Sequence, residues 1–300
     1  MTSSRPGPNR QSLTAAERAQ QREVRLNARR NAQRQARKND RVANQRSRSG
    51  NGRGMARQRA SLSLDSILET AIATLDREGA EKLTLRGLAA DLNSGVASLY
   101  WYASGKEELM ALAADELLGR ALRENEILDS SGTPTPAGFA DFSTPAPDPR
   151  TSEQTVDALM RLRRLILCLF AQMLGHPWLA AQLIKAGPDE HNSFMYWETV
   201  GQQLLRMELS RSQQFHASLA VINYASGMGA EIAEGAKEIA DLESREEGFI
   251  DQIREWEASD PEEFPFVHAI LGEFGKMDDR SQFIAGLDLL LSGLERQTWG

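Results

Sequence analysis

Apolar positions recur at helical spacing through most of the chain. Ile67, Leu68, Ala71, Ile72 and Leu75 fall on one stripe, and Gly79 follows as a stop. Leu85, Leu88, Ala89 and Leu92 repeat at i, i+3, i+4 and i+7, with Thr84 placed as the N-cap. Ser104 and Glu107 form a capping box that opens a helix carrying Leu109, Leu112, Ala113 and Leu117. Ser210 and Gln213 form another box, ahead of a long helix rich in small residues. A last helix is predicted from roughly Arg280 to Gln297. No alternation of period two persists, so the predicted fold class is all-α.

Two stretches break this pattern. Residues 1–60 carry 16 Lys and Arg against 3 Asp and Glu, and the remainder carries 19 against 39. The net charge of −7 therefore conceals a basic arm on an acidic body. Leu13, Val24, Leu26 and Val42 form no stripe, so the arm cannot bury enough apolar area to offset its ordering entropy. It is predicted to be disordered and to become helical on a polyanion, with Gly50, Gly52 and Gly54 as a joint. Met55 stands at a natural lead-in length from the first helix, which offers a second reading in which translation starts there. The other break, residues 129–150, holds five prolines among Ser, Thr, Gly and Asp and reads as a linker. The predicted organisation is thus an arm at 1–60, a small helical block at 61–128, the linker, and a larger block at 151–300.

The small block contains a helix at 84–92, a tight break at Asn93–Gly95 and a short helix at 95–102, which is helix-turn-helix geometry. Tyr100, Trp101 and Tyr102 cannot all face one core, so at least one is exposed. An exposed aromatic beside Ser98 and Lys106 suits a surface that meets phosphates and base edges. The same spacing also fits a plain three-helix bundle with surface aromatics.

The run Thr84-Leu-Arg-Gly-Leu-Ala-Ala-Asp-Leu, followed by Ser98-Leu-Tyr-Trp-Tyr and Lys106-Glu-Glu-Leu, resembles the DNA-binding domain of the TetR family of transcriptional regulators. The resemblance covers about 63–117. It implies a DNA contact for Thr84 through hydroxyl and amide, for Arg86 at a base edge or phosphate, and for Val96, Ala97 and Ser98 in the major groove. It further implies phosphate contacts from the hydroxyls of Tyr100 and Tyr102, backbone or thymine-methyl packing by Trp101, and a phosphate clamp at Lys106. Asn93 departs from the usual glycine at the turn, but Asn tolerates a left-handed backbone. Tyr102 stands where histidine is commoner. Between residues 63 and 112 the block itself holds 4 basic and 8 acidic residues, an unfavourable balance for a DNA reader, which the arm could offset.

In the larger block, His176-Pro-Trp-Leu, Pro261-Glu-Glu-Phe-Pro and the run from Phe283 to Glu295 are similar to TetR-type C-terminal regions. They imply a helical effector-binding and dimerisation domain. Phe170, Met173, Trp178, Leu183, Phe194, Trp197 and His216 are candidate linings of a small-molecule pocket. Ala225, Gly229 and Ala233 on the long helix, with Gly286, Leu290 and Gly293 on the last, are candidates for a homodimer interface of four helices, since small side chains allow close approach. The alternative is ordinary intrachain packing of the same residues. A dimer suits a palindromic operator, which needs two readers.

No metal or cofactor is predicted. His176, His191, His216 and His268 do not pair at ligand spacing, and Cys168 is the sole cysteine, which points to a reducing, cytoplasmic setting. Gly105-Lys106 lacks the rest of a phosphate loop, and no nucleophile elbow occurs. The Asp189-Glu190-His191 cluster reads as a helix start. The apolar run Leu165–Ala171 is far shorter than the ~20 residues of a membrane span. The leading expectation is a repressor that binds double-stranded operator DNA and is released by a small-molecule effector. The alternatives are a general nucleic-acid binder acting through its arm and, without any catalytic constellation to support it, a helical enzyme.

Overall fold

The computed structural model describes residues 62–186, 190–238, 253–274 and 278–299; the basic arm and its glycine joint lie outside them. Among the described residues the regular structure is helical throughout. Helix α1 (Leu64–Glu78) opens at Ser63, whose hydroxyl accepts from Ser66 N while its own N–H donates to Ser66 Oγ. It stops at Gly79, at φ 78°. After one tighter turn at Ala80–Lys82, helix α2 (Leu85–Asp91) starts from Thr84, whose Oγ1 accepts from Gly87 N at 3.0 Å. Asn93, at φ 49°, makes the left-handed step into α3 (Val96–Leu99). The apolar stripe of α1 is buried, together with Leu83, Leu88, Ala89 and Leu99, and these side chains form the small core of the head.

Helix α4 (Lys106–Ser131) leaves the head and runs ~39 Å, at 1.5 Å per residue, into the body. Its cap differs from the expected Ser104–Glu107 box. The helix begins one residue later than that box requires, with Gly105 at the N-cap, and Glu108 takes the partner role: Ser104 N and Oγ donate to its carboxylate at 2.8 and 2.6 Å. Helices α5 (Glu153–Gly175), α6 (Leu179–Ala186), α7 (His191–Leu205), α8 (Arg211–Glu238), α9 (Pro265–Phe274) and α10 (Asp279–Arg296) complete the body. Glu190 is the N-cap of α7, and the Ser210–Gln213 box precedes α8 as predicted.

The apolar run on α5 has its explanation in position. Leu165 to Phe170 are all buried, because α5 is flanked by α4, α6, α7, α8 and α10 and so has no solvent face along this stretch. Burial of whole Leu, Ile and Phe side chains contributes roughly 1.5–3 kcal/mol each before entropy is counted. Two arginines on this helix are also buried. Arg164 donates to Asn125 and Asp129 on α4 at 3.0 and 2.5 Å, and Arg163 donates to Asp288 on α10 at 2.7 and 3.1 Å. Each buried charge thus has a carboxylate partner, as its desolvation requires.

Residues 132–152 form no helix, as expected, but they are a strap more than a linker. Phe139 is fully buried, its ring 6.0 Å from that of Phe170, and Arg280 Nη1 donates to Gly138 O. At the other end Glu295 on α10 accepts from Asp148 N and Thr151 Oγ1 at 2.9 and 2.7 Å. The helix of α4 extends through Ser131, three residues into the expected linker, and beyond it Phe139 and Phe142 with the contacts of Gly138, Asp148 and Thr151 decide where the segment lies.

Candidate nucleic-acid interface

The head packs with few residues, and what it leaves outside is informative. Leu88, Ala89 and Leu99 face the core, so Arg86 on α2 and Ala97 and Ser98 on α3 point to solvent. Tyr100 is 57% exposed and Trp101 83%. An exposed tryptophan of that degree carries a hydrophobic cost with no return in the free monomer, and it suits a surface that a partner covers. Thr84 is exposed too, although its Oγ1 already accepts from Gly87, so its hydroxyl proton is what remains for a phosphate. Lys106 is half-buried at the first position of α4, where the helix dipole favours an anion.

Two of the predicted contacts sit differently from their neighbours. Tyr102 is half-buried and its hydroxyl donates to Leu62 O at 2.9 Å, so it ties α3 back to the start of α1. That bond commits the hydroxyl proton that the phosphate role implied for Tyr102 would use. Val96 is half-buried against the head core, leaving Ala97 and Ser98 as the exposed pair on α3.

Several of the head's carboxylates have partners within the chain. Glu69 pairs with Arg120 on α4, Glu107 with Lys185 on α6, and Glu108 with Ser104. Lys185 holds the Glu107 carboxyl below its usual range, chiefly through the hydrogen bond and then through its charge. Asp76 accepts from Trp178 Nε1 at 2.8 Å and meets His176 Nδ1 at 2.9 Å. These carboxylates are turned to body residues or to their own helix starts. The exposed charged side chains of α2 and α3 are Arg86 and Asp91, with Lys106 at the first position of α4. Counting charge along the chain could not reveal these contacts, because the partners of Glu69, Glu107 and Asp76 lie 51 to 102 residues away.

The Asp76 contacts were missed by sequence reasoning. His176-Pro-Trp-Leu was visible as a motif, but nothing local shows that both its ring nitrogens reach back to α1. Together with the Glu107–Lys185 pair they join head and body, while Arg164 holds the far end of α4 within the body.

The predicted pocket residues differ widely in burial. Phe170, Met173 and Trp178 are core: Phe170 stacks on Phe283 with centroids 3.6 Å apart. Leu183 and Trp197 are half-buried, while Phe194, at 54% exposed, and His216 lie outside. Cys168 is buried among them, and desolvation first, then the charge of Glu124, pushes its thiol up to about 12. On the dimer candidates the packing is unequal. A Cβ on Gly229 would fall 2.5 Å from Met173 Sδ, and one on Gly286 would fall 2.1 Å from the Tyr224 hydroxyl. Ala225 and Ala233 are buried in the same monomer. These four therefore serve close approach within the chain. Leu290 is half-buried, and Gly293 faces open space beside Leu289, which is 75% exposed.

Comparison with known proteins fits this geometry. Residues 67–113 match the model for bacterial regulatory proteins of the tetR family, and residues 150–298 match the tetracyclin repressor-like C-terminal domain. An HTH-type transcriptional regulator of Saccharopolyspora erythraea is 27% identical over 244 residues, covering 80% of this chain and 87% of that protein. The transcriptional regulator SCO7222 of Streptomyces coelicolor, a TetR, superposes with a TM-score of 0.59 at 28% identity, over 79% of this chain and 99% of that one. ActR from the same organism, solved in complex with actinorhodin, shares the fold with a TM-score of 0.60 at 22% identity, over 80% of this chain and all of that one. Head, body and their connection by α4 thus agree in sequence and in shape, and the chain belongs to the TetR family of bacterial transcriptional regulators.

Proposed function

We propose that this regulator is a homodimeric repressor that reads a palindromic operator through α2 and α3 and releases it when a small molecule binds the body. One observation supports the reading: Arg86, Ala97, Ser98, Tyr100 and Trp101 are all exposed, so the head's own packing does not use them. The guanidinium of Arg86 can make a bidentate contact to guanine or to phosphate. Ser98 offers a hydroxyl at a base edge, Tyr100 a phosphate contact, and Trp101 an apolar face for thymine methyls. A second copy would seat on α10 at Leu289 and Gly293, which pairs two heads for two half-sites.

Release follows from how the head is held. Effector binding that moves α5 or α6 shifts Asp129 on α4 through Arg164 and Asp76 on α1 through His176 and Trp178. Both shifts alter the spacing of the two heads. By linkage, operator DNA lowers effector affinity by the same factor that effector lowers operator affinity, typically ~1–3 kcal/mol.

The test is selection of bound sites from random duplex DNA with the full chain, followed by sedimentation of the complex on the winning sequence. Two inverted half-sites bound by two chains are expected. Enrichment of no sequence, or of one asymmetric site held by a single chain, overturns the proposal.

A further inference from the structure

One groove of the body stands apart from the predicted pocket residues. It lies between the strap, the first turns of α5 and the second half of α10, and encloses about 490 Å³ including its open mouth. Pro145 and Pro147 form one wall, and Leu159 and Met160 on α5 another. Prolines present rigid apolar surface, while a half-exposed methionine adapts to the shape of what it covers. The strap is fastened at both ends, by Arg280 to Gly138 and by Glu295 to Asp148 and Thr151, so the groove is built before any ligand arrives.

Its polar content is specific. Arg163 and Asp288 both line the groove. The Arg163 side chain is only 4% exposed; Nε and Nη2 donate to Asp288, but Nη1 is buried without a hydrogen-bond partner. A buried guanidinium N–H without an acceptor is costly, more so than a neutral donor. The sign of the surrounding charge limits what can satisfy it. Asp288 already neutralises Arg163, and Glu295 adds a second carboxylate to the lining. An anionic ligand would be repelled, whereas a neutral oxygen acceptor meets the donor without a charge conflict.

We propose that this groove is a binding site for neutral, largely apolar molecules carrying a carbonyl oxygen, which accepts from Arg163 Nη1 while the apolar part lies against the strap prolines, Leu159 and Met160. The claim is of binding alone. It stands or falls separately from operator release, because its test contains no DNA.

The probes are 4-bromoacetophenone, 4-bromobenzoate and 4-bromoethylbenzene, which share a ring and differ in the acceptor. Affinities are measured by calorimetry on the full chain, and crystals soaked with each are examined for bromine by anomalous scattering. The ketone is expected to bind about tenfold more tightly than either other probe, the order of one charge-assisted hydrogen bond, with bromine in the groove. Equal affinities, or bromine only elsewhere, overturn the proposal. Arg163→Met with Asp288→Leu removes the pair together, an exchange that buried ion pairs often tolerate. It is expected to abolish the ketone's advantage, and retention of that advantage overturns the claim. Met160→Trp fills the mouth without touching the ion pair; with a native melting transition it is expected to lose ketone binding, and unchanged binding again overturns the claim.

Discussion

The head and the body use their side chains in opposite ways. In the body, residues that look free on a helical wheel are consumed by the chain itself: Gly229 admits Met173, Gly286 admits the Tyr224 hydroxyl, and two arginines are buried on carboxylates. In the head, a small core leaves Arg86, Ser98, Tyr100 and Trp101 without intrachain work. A surface that costs solubility and contributes nothing to the fold is where a partner should be sought. The body's features support stability and the transmission of shape, so the same kind of residue has to be read differently in the two regions.

The contrast can be broken most forcefully by cutting one residue from each. Phe170→Ala removes a fully buried ring stacked on Phe283 and is expected to cost ~3–5 kcal/mol of stability in denaturant titration. Trp101→Ala is expected to leave stability within ~0.5 kcal/mol and to lose operator affinity. If Trp101→Ala unfolds the head, or leaves operator binding intact, the division between the regions is wrong.

A smaller effect separates the two ends of α10. Gly286→Ala drives a methyl into Tyr224, with an expected cost of ~1–3 kcal/mol. Gly293→Arg meets no atom of its own chain, so folding should survive while sedimentation shows the dimer weakened. Persistence of a full-strength dimer would move the interface away from this end of the helix.

Arg86→Ala should reduce operator affinity by ~1–3 kcal/mol in an anisotropy titration, the value of one bidentate contact, without change in the melting transition. Unchanged affinity would remove α2 from the reading surface. A last, local effect concerns the body alone. The Cys168 thiol, raised to about 12 and buried, is expected to stay unreactive toward a thiol reagent at pH 8 in the native state and to react fully once the chain is unfolded. Rapid native labelling would show that the α5 core opens locally.

Much of this was legible in the sequence, for physical reasons that can be named. Helical stripes, Thr84 as a cap and Asn93 at the left-handed step are local properties, fixed by side chains within a few residues of each other. What escaped was set by distance. The Ser104 cap chose Glu108 over Glu107 because the helix begins one residue later. Phe139 turned a proline-rich linker into a strap by reaching Phe170. Small residues at helical spacing mark a seam, but sequence cannot say whether its other side belongs to the same chain, as it does at Gly229 and Gly286. The candidate pocket residues divide between core and surface, with Phe170, Met173 and Trp178 buried and Phe194 and His216 exposed, and spacing alone does not tell these apart. The recognised motifs of the head were readable because exposure there follows from a very short list of core positions.

The sharpest test uses two neighbouring tyrosines. Tyr100 is exposed on the proposed reading surface, and Tyr102 spends its hydroxyl on Leu62 O. Tyr100→Phe and Tyr102→Phe each remove one oxygen, so operator affinity and unfolding free energy are to be measured for both against the parent chain. Tyr100→Phe is expected to weaken operator binding with stability unchanged, and Tyr102→Phe to cost ~0.5–1.5 kcal/mol of stability with the affinity of the folded protein retained. The reverse pattern, or identical behaviour of the two variants in both measurements, would contradict the assignment of DNA reading to the surface that the head leaves free.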